Sequence, residues 1–180
     1  MEEIEVPTEQ LQEQIHERAH EARERWLSWV ALSSALLAGF AAVSALLAGH
    51  HANEAMVDQI RSSDQWSYYQ AKSIKAAVLG SKIDLLKALG KEVSPKDEEK
   101  FVQYKKEQDE ITGFAEEKER ASESHLQHHT IFAKGVTLFQ VAIAVAAISA
   151  LTRRRRFFLV GLLFGLGGLV FLTQGLLLPM

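Results

Sequence analysis

Hydrophobic and polar residues are separated into blocks along this chain rather than interleaved. Residues 27–49 and 157–180 contain no Asp, Glu, Lys or Arg, whereas 97–123 is crowded with them. A bilayer core about 30 Å thick takes roughly 20 apolar residues in a helix, because lipid offers no partner to an unpaired peptide group. Three segments meet that length: 26–50, 132–152 and 157–178. Trp26 and Trp29 open the first, where amphipathic rings favour the headgroup level. Arg153, Arg154, Arg155 and Arg156 stand between the last two, and four guanidinium groups are too costly at mid-bilayer. The pattern therefore predicts a tight turn over 153–156 at one membrane surface, with the arginines against anionic lipid headgroups.

Positive residues near span ends favour the cytoplasm. With the Arg turn inside, the third span ends outside, the second begins outside, and the segment between the first two is extracytoplasmic. The N-terminal segment, with Arg18, Arg23 and Arg25, is then cytoplasmic, so both arginine groups agree. A cleaved signal peptide is the competing reading of the first span. Eight acids in the leader and an apolar run longer than about 15 residues favour an uncleaved anchor.

From Asn53 onward apolar residues fall at helical spacing, at Met56, Ile60, Ala71, Ile74, Val78, Leu85 and Leu89. Gly90 suits the position past a helix end, and Ser94-Pro95-Lys96-Asp97 reads as an N-cap, a first-turn Pro and an acid at the positive helix end. The next helix presents Phe101, Tyr104, Ile111, Phe114, Ala115 and Leu126. Folding the two back on one another about the short connection pairs positions whose numbers add to about 185. Tyr104 then lies opposite Gly80 and Ser81, Phe114 opposite Ala71, and Ile111 opposite Ile74, large against small. Such a stalk projects roughly 60 Å. Trp66, Tyr68 and Tyr69 point in several directions, so one seam does not cover them all, and Trp66 and Tyr69 are expected at an interface with another copy or a partner.

The expected fold class is thus an all-α membrane protein with three transmembrane helices and an extramembrane antiparallel helical hairpin, a coiled-coil-like stalk. Its parts are a cytoplasmic amphipathic helix over 1–25, a span over 26–50, the extracytoplasmic hairpin over 51–131, a span over 132–152, the cytoplasmic Arg turn over 153–156 and a span over 157–178. Whole-chain averages hide this: 180 residues with formal net charge −3 and 47% hydrophobic content pass for one soluble domain. Three Pro argue against a loop-rich or β-rich fold. The absence of Cys removes disulfides, thiolate catalysis and Cys-based metal sites.

Candidate chemistry is sparse. His16-Glu17-Arg18-Ala19-His20 matches the H-E-x-x-H zinc pattern, but it sits in a charged amphipathic helix with no third ligand and no pocket, so a solvated helix face is the preferred reading. His50, His51, His125, His128 and His129 are brought to one membrane surface by the hairpin, near Glu54, Asp58 and Glu123. Of these His51, His128 and His129 are the candidate metal ligands, although an axial offset of about 7 Å between His51 and His129 favours a structural, interfacial role. There is no Asp, Glu or His between Leu27 and Gly49 or after His129, which disfavours an ion-coupled transporter. Ser33 or Ser34, Thr137, Gln140 and Gln174 read as interhelical hydrogen-bonders. Small residues recur at four-residue spacing, including Gly39 in the first span and Gly161 with Gly165 in the third, and mark close helix packing or an oligomer interface. No phosphate-binding loop is present, and the Arg cluster suits lipid better than nucleic acid.

The strings 24–38 (ERWLSWVALSSALLA), 48–55 (AGHHANEA) and 63–78 (SDQWSYYQAKSIKAAV) resemble the bacterial membrane family known as domain of unknown function 4337. The resemblance spans nearly the whole chain and implies a multi-pass protein of the bacterial inner membrane. It implies no activity, catalytic residue or cofactor. Members often carry a His-rich leader, of which only His16 and His20 stand here, which further discourages a metal reading. The expected function is that of a non-enzymatic, self-associating membrane protein, a homo-oligomer with a stalk that serves as spacer or docking surface and with anionic lipids as partners. The alternatives are a homo-oligomeric pore lined by the first span and a metal or pH sensor built on the interfacial histidines.

Overall fold

The computed structural model of the chain describes the backbone of residues 8–179 and the side chains of residues 25–179. The His16–His20 motif and the amphipathic face expected over 1–25 lie outside the described side chains. Among the described residues the chain is all-helical: α1 is Thr8–Ala88, α2 Pro95–Thr152 and α3 Arg155–Leu177. Each contains a stretch long and apolar enough to cross a membrane. No Pro or Gly pair interrupts α1 after residue 26, so the apolar segment and the polar segment that follows share one continuous helix.

Helix ends are set by local chemistry. α1 stops at a Schellman motif, with Gly90 at φ +64°, Gly90 N donating to Lys87 O and Lys91 N to Leu86 O. α2 begins with Pro95 at its first position, and the amides of Asp97 and Glu98 donate to Ser94 O. Between α2 and α3 only Arg153 and Arg154 are non-helical. Arg153 adopts φ +56°, and Arg154 O accepts hydrogen bonds from Ser149 Oγ and Phe157 N. The turn expected over 153–156 is therefore two residues shorter, because Arg155 and Arg156 already form the first turn of α3.

The chain divides into two compact units. The apolar unit combines α1 up to Leu47 with Ile131–Leu177. Val30, Leu37 and Ser44 of α1 are buried at seven-residue spacing, and α2 contributes Phe132, Phe139, Ala142, Ala146 and Ser149. α3 meets them through Gly161, Gly165, Gly168, Leu172 and Gly175, at spacings of four, three, four and three. Each glycine accepts a neighbour: a Cβ at Gly161 would lie 3.1 Å from Ala142 O, one at Gly165 2.8 Å from Leu37 Cδ2, and one at Gly168 2.7 Å from the Phe139 ring. Where hydrophobicity gives helices no mutual attraction, such close van der Waals packing supplies it. Ser33 and Thr137 hydrogen-bond to carbonyls of their own helices, contrary to the interhelical role expected for them, since a carbonyl one turn back is always within reach.

The polar unit comprises Ala48–Thr130 with the last residues from Leu178. Contacts between α1 and α2 run antiparallel. Ser122 Oγ donates to Ala55 O at 2.8 Å, Lys118 Nζ lies 3.7 Å from Asp58, Lys72 pairs with Glu107, and Lys82 Nζ donates to Asp97 at 2.6 Å. These partners' numbers add to between 176 and 179, not 185. Lys82 stands beside the first turn of α2, so the end of α1 overhangs it, and the non-helical residues after Gly90 run back to Pro95. Phe101, not Tyr104, consequently covers Gly80, with a Cβ there 3.1 Å from Phe101 Cε2.

The seam itself differs from the one expected. On α1 it is Ala48, His51, Ala55, Asp58 and Ser62, at alternating spacings of three and four, continued by Ala76 and Ile83. On α2 it is Gln108, Ile111, Ala115, Ser122 and His128. Met56, Ile60, Ile74, Val78, Leu85 and Leu89, the expected face of α1, are all exposed, as is Phe114. The small and polar residues of α1 face inward, Ala55 against Ser122 and Gly80 against the Phe101 ring, and two large rows would hold the helices further apart.

Candidate functional site

A cluster of titratable side chains forms in the polar unit where its seam is richest in histidine. His51 occupies a seam position of α1 between Ala48 and Ala55. His125, His128 and His129 share one side of α2, being three and four residues apart. The pairing of Ala55 with Ser122 sets these two groups level.

The cluster is buried at its centre, His51 being 5% and His128 2% exposed. His51 Nδ1 lies 3.0 Å from His125 Nδ1, one of the two donating and the other accepting. The His51 and His128 rings stack at 4.8 Å between centroids and 23° between planes. His50 tilts against His51 at 5.5 Å. His129 Nδ1 donates to Ala48 O at 2.9 Å. His128 has a carbonyl at each nitrogen, Ser124 O 2.9 Å from Nδ1 and Leu178 O 3.2 Å from Nε2; a neutral ring donates to one of them and the imidazolium to both. Burial pushes the His51 imidazole below its ordinary pKa, the neighbouring His128, His125 and His50 push it further down, and Glu54 opposes them.

The expected ligand trio does not converge. His51 and His128 present ring faces to one another, both nitrogens of His128 lie at backbone carbonyls, and His129 points its Nδ1 at another. Among the described residues no group of three or more His, Asp or Glu side chains has a geometry that holds a metal ion. The buried His51 imidazole touches both His125 and His128, so its protonation is opposed by its burial and by its neighbours.

The other expected site residues are dispersed. Gly161 and Gly165 pack inside the apolar unit, whereas Gly39 has nothing within 4 Å of its Cβ position. Trp66 and Tyr69 are half-buried and pack edge-to-face on each other at 5.7 Å. Of the arginine turn, Arg155 joins Arg25, Trp26, Trp29, Phe158 and Leu162 around an apolar groove of about 790 Å³. Gly168 and Gly175 escaped the sequence reading, although the four-three spacing that continues from Gly161 and Gly165 points to them. The part of His125 as direct partner of His51 was missed as well, because it depends on the register of α1 against α2.

No curated protein and no solved structure matches the chain. A family model does, over residues 26–178, a range that takes in the histidine seam and the glycine face of α3. On that match the chain belongs to the family described as domain of unknown function (DUF4337).

Proposed function

We propose that this protein is a non-enzymatic, self-associating protein of the bacterial inner membrane, whose polar unit is an extracytoplasmic helical hairpin acting as spacer or docking surface. Its spans are 26–50, 132–152 and 157–178, with the N-terminal segment and the arginine turn in the cytoplasm. The observation that carries the reading is an inversion of packing in the polar unit: α1 turns Ala55, Asp58 and Ser62 inward and leaves Met56, Ile60, Ile74 and Val78 outside. A helix that exposes a row of large apolar side chains is suited to bind another surface. Anionic lipid fits the groove between Arg25 and Arg155, where two cations flank Trp26, Trp29 and Phe158. A reporter inserted at Val93 tests the topology and the mass of the full-length protein in lipid discs tests the association. An extracytoplasmic signal and more than one copy are expected; a cytoplasmic signal or a single copy refutes the reading.

A second reading, a pH-responsive joint, is favoured by the contact of His51 with both His125 and His128. Acidification would then loosen the α1–α2 seam where the histidines lie.

A further inference from the structure

The polar segment of α1 carries charge on most of its circumference and none on one stripe. At 100° per residue, Met56, Ile60, Ile74, Val78, Leu85 and Leu89 lie within about 60° of one another, on the side of the helix opposite the seam. All six are between 54% and 67% exposed. The positions that fill the stripe between them, Ser63, Ser67, Ala71 and Ser81, are exposed too, and none is charged. Over the same length Glu54, Asp58, Arg61, Asp64, Lys72 and Lys75 all fall elsewhere on the helix. A solvated face gains nothing from excluding charge over 34 residues, whereas a face that packs on another helix must exclude it.

We propose that this stripe of α1 is the surface through which two copies of the chain pair, each laying the same face against the other about a two-fold axis. The inference rests on the self-associating reading above and names the surface that performs it. Three features point to a second copy as the occupant. Copies held in one membrane with one topology present the stripe running in the same direction, so like residues meet. The flanks are compatible under that symmetry: Asp64 and Lys82 border one side of the stripe and the uncharged Gln59, Gln70 and Ala77 the other, so no like-charge pair arises where the two copies meet. The area also suffices, since six side chains covering roughly 100 Å² each bury on the order of 600 Å² per copy before the flanks are counted, against about 800 Å² in a standard interface. A groove of about 340 Å³, lined by Lys75, Lys82, Asp97 and Lys100 as well as by Leu79 and Tyr104, adjoins the stripe at Ile74 and Val78.

The chain contains no cysteine, so a single introduced thiol reports alone. In the full-length protein in native membranes, Ile74→Cys and Val78→Cys are expected to form disulfide-linked pairs on mild oxidation, while Glu110→Cys, exposed on α2, does not. The double variant Ile74→Glu with Val78→Glu is expected to fall to single copies in lipid discs with unchanged helical circular dichroism, because neither side chain is packed within one chain. Pairing that persists in the Glu variant, or cross-links confined to Glu110→Cys, overturns this surface and leaves self-association standing. A native chain that is a single copy overturns both. Capture of a different protein by a bifunctional reagent at Ile74→Cys, without linked copies, overturns the choice of occupant.

Discussion

His51 Nδ1 and His125 Nδ1 lie 3.0 Å apart, one on α1 and the other on α2. Two protonated nitrogens cannot share a hydrogen bond, so the contact lasts only while at least one of the two is unprotonated.

A pH dependence follows with a definite sign. Burial and the neighbouring imidazoles lower the folded-state pKa of His51 below 6.5, so near that pH the unfolded chain binds the proton and the folded chain does not. Stability contributed by neutral His51 is present above about pH 6.5 and declines as the pH falls toward the lowered folded value. Thermal melts followed by circular dichroism between about pH 7.5 and 5.5 should show the native chain losing stability on acidification and His51→Gln losing less. Parallel slopes for the two proteins would remove His51 as the titrating group.

Gly168 is closed by Phe139, a ring with no exposed surface and no room to retreat. Gly168→Ala is expected to destabilise the apolar unit by about 1–3 kcal/mol, despite the better helix propensity of alanine, because its Cβ must push that ring aside. Unfolding titrations in mixed micelles measure it, and an unchanged midpoint would mean that α3 does not pack there.

Gly80 discriminates between the two registers of the polar unit. Gly80→Leu should cost roughly 1–3 kcal/mol by overpacking against Phe101. The companion change Phe101→Ala should recover part of that loss, and Tyr104→Ala should not. Rescue by Tyr104→Ala alone would restore the register in which partners add to 185.

The parts of this architecture that were legible in the sequence are those determined within a few residues. The three apolar stretches could be read because each helix must satisfy its own backbone in lipid whatever it packs against. The break at Gly90 and the restart at Pro95 were likewise visible, since a positive φ and a missing amide are properties of single residues. The arginine turn expected over 153–156 spans only Arg153 and Arg154, since α3 begins at Arg155.

Tertiary structure alone decided which face of α1 is inside. Apolar spacing singled out Met56, Ile60, Ile74 and Val78, and periodicity reports that a face is distinct without saying what it meets. Phe101 of α2 leaves no room at Gly80 for a larger side chain, and Ala55 lies against Ser122, so the small face turned inward and the large one outward. The register was equally non-local: whether His51 meets His125 depends on how far α1 overhangs the start of α2, a distance determined by the path of the chain from Gly90 to Ser94 and by Lys82 reaching Asp97. The sequence by itself determined where helices run and which stretches avoid water, and only the packing of one helix on another decided which side chains are buried and which histidines touch.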